Sequence, residues 1–245
     1  MLHYNSLIEL LSIKTELLVN ISAPEENMWY NNFVARIIEV HPENPQTRVV
    51  RNVVDVLGNL GVIAYPTSSG YALGCALKNG AGLEKIRAIR KLKKKHNFTL
   101  MCASIAQASE YVKIDNANYR LIKRANPSKF TFILKALGSL PAQAHSKRST
   151  VGIRIASDQF VRDLLNEFGK PILSTSLILP ADDSEADFDA EEGVLGSSYE
   201  VEEKIGDLVD LIIDAGELPT HWTTILDLTG DALEVVRAGQ GVFEV

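Results

Sequence analysis

The sequence has no apolar run that approaches a membrane span. Its longest, residues 208–215, is interrupted by Asp210 and Asp214, whereas a spanning helix needs about 20 apolar residues. No lysine or arginine precedes Lys14, so the basic start of a secretory signal is missing. There are only two cysteines, Cys75 and Cys102, each at the end of an apolar strand-like stretch, and both read as buried, reduced thiols. With five scattered histidines they give no zinc spacing, so no metal site is expected among the protein's own side chains. These absences point to a cytoplasmic protein with no membrane contact. The chain also lacks a Walker loop, a Gly-x-Gly-x-x-Gly fingerprint, a Ser, His and Asp arrangement and any outstanding carboxylate pair. A site must therefore be assembled from scattered strand ends and loops.

What is present is an ordinary folded composition. Of 245 residues, 46% are hydrophobic and 23% charged, enough apolar chain for a sizeable core. The net charge of −6 argues against general nucleic-acid affinity. Its distribution is uneven. Seven basic residues and no acid lie between Lys85 and Lys95, and seven acids and no base lie between Asp182 and Glu192. The basic run suits a phosphate-bearing partner; as plain solvated surface, both runs would imply none.

Residues 1–40 read as an N-terminal extension, with Leu7, Ile8, Leu10 and Leu11 on a helical spacing before Pro24. Residues 41–245 read as one domain. Val49, Val53, Val54, Val56 and Leu57 predict a helix over 47–60 ended by Gly61, followed by a strand over 62–65. Further helices are predicted from 79 to 91, 116 to 125 and 160 to 168. Strands are predicted over 98–102, 130–136, 150–155, 172–174, 208–214, 223–228 and 233–236, and the acidic stretch is read as a polar loop. Helices alternate with strands early and strands cluster late, which implies an α/β domain with a mixed sheet.

Five places carry hydroxyls or arginines suited to anions. Pro66-Thr67-Ser68-Ser69-Gly70 follows a strand and offers backbone N–H groups beside hydroxyls; as ordinary structure it would be a capped strand-to-helix turn. Arg87, Arg90 and Lys91 gather on one side of their helix, followed by His96-Asn97-Phe98. Arg154 shares a strand face with Thr150 and Gly152, either open to a planar anion or paired with an acid across the sheet. Ser174, Thr175 and Ser176 end a buried strand, the place where open α/β sheets bind ligands. Thr223 to Asp227 and Arg237-Ala238-Gly239 complete the set.

In order, these segments resemble the YrdC/YciO family of threonylcarbamoyl-AMP synthase-like proteins. The Pro-Thr-Asp-Thr-x-Tyr-Gly-Leu-Gly pattern stands as Pro66 to Gly74, Lys-x-Arg as Ala88 to Arg90, and Pro-Gly-Pro-x-Thr-Phe-Ile-Leu as Pro127 to Leu134. Val-x-Val-Arg stands as Val151 to Arg154, Pro-x-x-Ser-x-Ser-Ala-Asn as Pro171 to Ile178, Ser-Thr-Ile-x-Asp as Thr223 to Asp227, and Arg-x-Gly as Arg237 to Gly239. Ser69 to Cys75, His96 to Cys102 and Leu173 to Leu177 make the YciO branch the nearer one. The resemblance implies a YrdC-like twisted mixed sheet flanked by helices, with a concave basic cleft. It implies ATP, L-threonine and bicarbonate as substrates, with Mg2+ accompanying ATP. The carbamate of threonine attacks the α-phosphate, pyrophosphate leaves, and the product feeds tRNA modification. By matched position, Thr67, Ser69 and Thr223 would contact threonine, and Arg90, Asn97, Thr131, Arg154, Ser174, Ser176 and Arg237 the nucleotide. Arg90 and Arg154 would be the catalytic residues, Arg154 holding phosphate or the carbamate.

The sequence departs from that pattern in four places. Ala88 stands for the lysine of Lys-x-Arg, with Arg87 and Lys91 as candidate replacements for its charge. Ile178 stands for the last asparagine, Ser68 for the aspartate, and Ser128-Lys129 for Gly-Pro. The departures leave two readings open: a threonylcarbamoyl-AMP synthase, or a YciO-type paralogue that binds nucleotide or double-stranded RNA without that synthesis.

Overall fold

The computed structural model describes residues 35–93, 96–125, 129–141, 144, 149–179, 194–230 and 232–242. The expected helical spacing of the extension, Lys94 and Lys95, Pro127-Ser128 and the acidic run lie outside the described residues.

Ten strands form one mixed sheet in the order β1-β8-β2-β3-β7-β4-β6-β5-β9-β10. They are β1 (Arg36–Glu39), β2 (Val62–Thr67), β3 (Gly70–Ala76), β4 (Thr99–Cys102), β5 (Phe130–Lys135), β6 (Thr150–Ile155), β7 (Ile172–Ser176), β8 (Leu211–Asp214), β9 (Thr224–Asp227) and β10 (Glu234–Arg237). Parallel pairs join β1 to β8, β2 to β8, β4 to β6 and β5 to β9, and the other neighbours are antiparallel. The helices are α1 (Thr47–Gly58), α2 (Gly80–Ile89), α3 (Ile105–Ser109), α4 (Asn116–Arg124), α5 (Gln159–Phe168) and α6 (Ser198–Ile205). Strand β1 precedes residue 41, so the sheet begins within the stretch read as an extension. No helix among the described residues is long and apolar enough to cross a membrane.

Strand alternation sorts the core onto the two faces of this sheet. On one face Ala64, Leu73, Leu100, Ile153 and Leu173 pack with Leu83 and Ile86 of α2, Ile122 of α4 and Val201 and Ile205 of α6. On the other, Ile63, Tyr65, Met101, Ile172 and Ile213 pack beneath Val49, Val53 and Leu57 of α1 and Phe160, Leu164 and Leu165 of α5. Each buried Val, Leu, Ile, Met and Phe side chain among these contributes about 1.5–3 kcal/mol by leaving water. Both cysteines are buried and free.

Three local outcomes differ from the sequence expectations. The chain turns after α1 at Leu60, which takes φ 63, and not at Gly61. Gly61 is needed for closeness instead: its N–H reaches the Val56 carbonyl at 2.8 Å, and a Cβ there would lie 2.8 Å from that oxygen. The segment after Pro66 is a hairpin into β3, not a strand-to-helix turn. Residues 206–208 are a 3-10 turn, so the predicted strand over 208–214 begins only at Leu211.

Candidate anion-binding cleft

The face that carries α1 and α5 is not covered along its whole width. Beyond the helices its outward positions turn polar, and a cleft of about 110 Å³ opens there. One cross-strand row of its floor runs Gly74, Ser174, Thr99, Gly152. Gly152 keeps this floor low, since a Cβ would meet Thr131 Cγ2 and Thr99 Oγ1 at 3.2 Å. Tyr65 lies across Gly74, and its hydroxyl is 2.6 Å from Ser174 Oγ. Burial pushes the Tyr65 phenol up to about 12, so it remains a neutral partner for that serine.

The tight hairpin between β2 and β3 sets one wall. Gly70 takes φ 95, a left-handed conformation that glycine adopts without steric cost. Thr67 Oγ1 donates to the Gly70 carbonyl at 2.7 Å and accepts from the Ser69 N–H at 3.2 Å. Thr67 therefore spends its hydroxyl within the hairpin and faces a separate cavity with Asp158 and Arg162. Ser69 lines the cleft. Across from it, Arg154 of β6 donates to Ser69 Oγ at 2.7 Å and to Ser68 Oγ at 2.8 Å. Burial lowers the pKa of Arg154, while Tyr65 and Asp158 oppose the shift. The guanidinium is thus braced by the hairpin tip.

Arg90 caps α2 and is 3% exposed. Its Nε donates to the Ile178 carbonyl at 3.0 Å and its NH1 to Thr175 Oγ1 at 2.5 Å. Both partners are neutral. Burial lowers its pKa to about 10, which leaves it charged at neutral pH. His96 sits beside it, 3.4 Å from Thr175 Oγ1 through Nε2. Burial, then Arg90 and Arg87, push His96 down to about 3, so the imidazole is neutral. On the far wall, Thr131 and Thr223 hydroxyls meet at 3.0 Å. Arg237 donates to the Thr223 carbonyl at 3.0 Å, and its guanidinium lies 4.1 Å from the Trp222 ring centroid.

Of the ten candidate residues, nine line this one cleft: Ser69, Arg90, Asn97, Thr131, Arg154, Ser174, Ser176, Thr223 and Arg237. Thr67 does not. Neither Arg87 nor Lys91 lines it, so neither supplies there the charge absent at Ala88. Arg87 is committed elsewhere: it pairs with Glu84 at 3.3 Å, bonds the Lys93 and His96 carbonyls, and stacks on Phe98. Trp222 and His221, outside the sequence candidates, also line the cleft, as does His96, which belongs to a candidate segment without a role of its own. Their only signal was adjacency to Asn97 and Thr223. No acidic side chain is among the described lining residues, and no group of three or more metal-ligating side chains occurs among the described residues.

Residues 55–239 match the Sua5/YciO/YrdC family model, described as telomere recombination. The chain is 40% identical over 210 residues to the uncharacterized protein YciO of Escherichia coli, covering 85% of this chain and 97% of YciO. The crystal structure of E. coli YciO superimposes with a TM-score of 0.76 at 39% identity, over 85% of this chain and 97% of that one. A threonylcarbamoyl-AMP synthase from Vibrio vulnificus is 28% identical over 130 residues, 52% of this chain and 70% of the synthase. P. abyssi Sua5, solved with L-threonine, shares the fold at 22% identity and a TM-score of 0.72, over 83% of this chain and 57% of Sua5. The YciO match is both longer and more identical than the synthase match, and the chain belongs to the Sua5/YciO/YrdC family, on its YciO side.

Proposed function

We propose that this cleft binds a nucleotide through its phosphates, and that the chain is a YciO-type paralogue in which threonylcarbamoyl-AMP synthesis is at most slow. The observation that carries this reading is the convergence of Arg90, Arg154 and Arg237 on a cleft whose described lining contains no carboxylate. A buried guanidinium presents fixed N–H donors that match phosphate oxygens. Arg90 is held in place by neutral groups, so its charge remains available to an anion. The described lining residues offer magnesium no carboxylate ligand; magnesium would be carried by the phosphates of ATP, and no step is routed through it.

The synthase reading has its own support. Ser69, Arg154 and Thr223 keep their matched positions around the cleft, and relatives in the family include named threonylcarbamoyl-AMP synthases. In that reaction the carbamate oxygen of N-carboxythreonine would attack the α-phosphorus of ATP and expel pyrophosphate, with the arginines neutralising the developing charge. Ala88 and Ile178 weigh against it: one charge is not replaced, and an apolar side chain stands where the family has an amide. Binding of double-stranded RNA has less support. Within the basic run, Lys85 pairs with Asp210 at 3.1 Å and Arg87 with Glu84 at 3.3 Å.

Calorimetry with ATP, alone and with L-threonine, tests the proposal. Saturable ATP binding that Arg90→Ala weakens by on the order of 100-fold is expected. Wild-type protein that binds no nucleotide would refute it. Pyrophosphate release dependent on both threonine and bicarbonate would move the assignment to the synthase. RNA affinity that falls steeply with salt would favour an RNA partner.

A further inference from the structure

The wall of the cleft built by the turn before β9 and the segment after β10 is unusually rich in donors. Trp222 lines the cleft and is 9% exposed. Its indole Nε1 is buried and has no acceptor among the described residues. Buried donors in folded proteins are nearly always paired, so one that is not calls for an explanation. Here the surrounding geometry shows that the indole is held, not loosely packed. The Gln240 N–H donates to the Trp222 carbonyl at 2.8 Å. Gly239 passes so close that a Cβ there would lie 2.4 Å from the same oxygen. Arg237 stacks on the ring and donates to the next carbonyl, that of Thr223. The main chain of Trp222 is clamped from behind, the guanidinium stacks on the ring, and the N–H edge remains unused.

We propose that Trp222 is a specificity-determining ligand contact, whose indole N–H donates to an anionic oxygen of the molecule bound in this cleft, a phosphate or a carboxylate. An oxygen acceptor would satisfy a donor that no described residue pairs. The nearby guanidiniums favour an acceptor that carries charge, and the stack of Arg237 on the ring couples the two donors, so a ligand that engages one finds the other in place. This assignment rests on the reading of the cleft as an anion site and adds to it a group that reads hydrogen-bond geometry and not charge alone.

The test is the indole 1H–15N resonance of 15N-labelled protein. The chain has two tryptophans, Trp29 and Trp222, and Trp222→Phe identifies which signal is which. ATP and L-threonine are titrated separately, with sulfate and acetate as minimal phosphate-like and carboxylate probes. A downfield shift of the Trp222 indole proton is expected with the phosphate pair or with the carboxylate pair, and the pair that produces it identifies the oxygen. Trp222→Phe, which keeps an aromatic ring, is expected to weaken that ligand by about tenfold. If saturating ATP and saturating threonine both bind and both leave the Trp222 resonance unmoved, the assignment is overturned while the nucleotide reading stays intact. If ATP and threonine fail to bind but sulfate or acetate moves the resonance, the nucleotide reading falls and the Trp222 contact stands. If no probe moves it, the contact falls. The wild-type shift decides the matter even if the variant is poorly folded.

Discussion

One face of the sheet contains two regions that share strands and differ in what covers them. Under α1 and α5, Ile63, Tyr65 and Ile172 are sealed against Leu57, Phe160 and Leu164, with Met101 in the same cluster at the border of the cleft. Two residues further along the same strands, Ile172 gives way to Ser174 and Met101 to Thr99, and the cleft begins. The change occurs on one face and within one alternation period, so it is not a change of register. The covered half obtains its free energy from apolar burial. The open half holds buried hydroxyls and guanidiniums, which folding tolerates only because each makes hydrogen bonds such as Tyr65–Ser174, Arg154–Ser69 and Arg90–Thr175. Stability and binding are therefore divided between neighbouring patches of a single surface.

That division can be broken from either side. The largest effect is expected under the helices: Phe160→Ala should cost about 3–5 kcal/mol, read as a lowered denaturant midpoint, while ligand affinity per folded molecule stays unchanged. In the open half, Arg90→Ala should weaken nucleotide binding by about 2–3 kcal/mol, on the order of 100-fold in Kd. Arg87→Ala, three residues away, should change it by less than about threefold, because that side chain is committed to Glu84 and Phe98. Equal losses from the two variants would erase the distinction drawn between them.

A smaller effect follows from His96. In the unfolded chain it takes up a proton below about 6.5, and in the folded cleft only near 3. Between these values the unfolded state binds the extra proton, so stability falls as pH falls through the window, by up to about 1.4 kcal/mol per pH unit, with no contribution above it. Urea titrations from pH 7 to 4 should show a shallower loss for His96→Gln. The smallest change is Gly152→Ala. Its Cβ would enter the cleft floor 3.2 Å from Thr99 and Thr131. It should reduce ligand affinity several-fold while shifting the thermal midpoint by only a few degrees, on the order of 1 kcal/mol.

Much of this was legible in the sequence, for identifiable reasons. The alternation of Val151, Ile153 and Ile155 marked β6 to the residue, and the spacing of Val49, Val53 and Leu57 marked α1. The stretch before Cys75 reads as strand-like, but the bounds of β3 do not show in sequence because glycines fall within it: Gly70 supplies the left-handed turn and Gly74 makes room for Tyr65. Helix α6 was missed although it carried a signal: Ser197 caps the N–H of Glu200, and Glu200 reaches back to Gly196, close to a capping box. In the cleft, ordered motifs located nine of the ten residues that were named. Thr67 is the one outside it, because a hydroxyl beside a turn gives no indication in sequence of which way it bonds. The roles of His96 and Trp222 are not legible in sequence, since they come from what the sheet brings beside them.

The position of β7 has a kinetic consequence. This strand lies between β3 and β4 and supplies Ser174 and Thr175, while Arg90 also bonds the carbonyl of Ile178. Residues separated by 85 and 109 positions must meet before either bond exists. Such pairings raise contact order and slow folding, because loop closure is unfavourable until the distant contact forms. During synthesis the first hairpin and α2 are complete long before their partners emerge, so the guanidinium of Arg90 enters its buried position only when β7 is inserted. The cleft is thus assembled late, and a chain stalled before residue 172 carries most of its arginines without having the site.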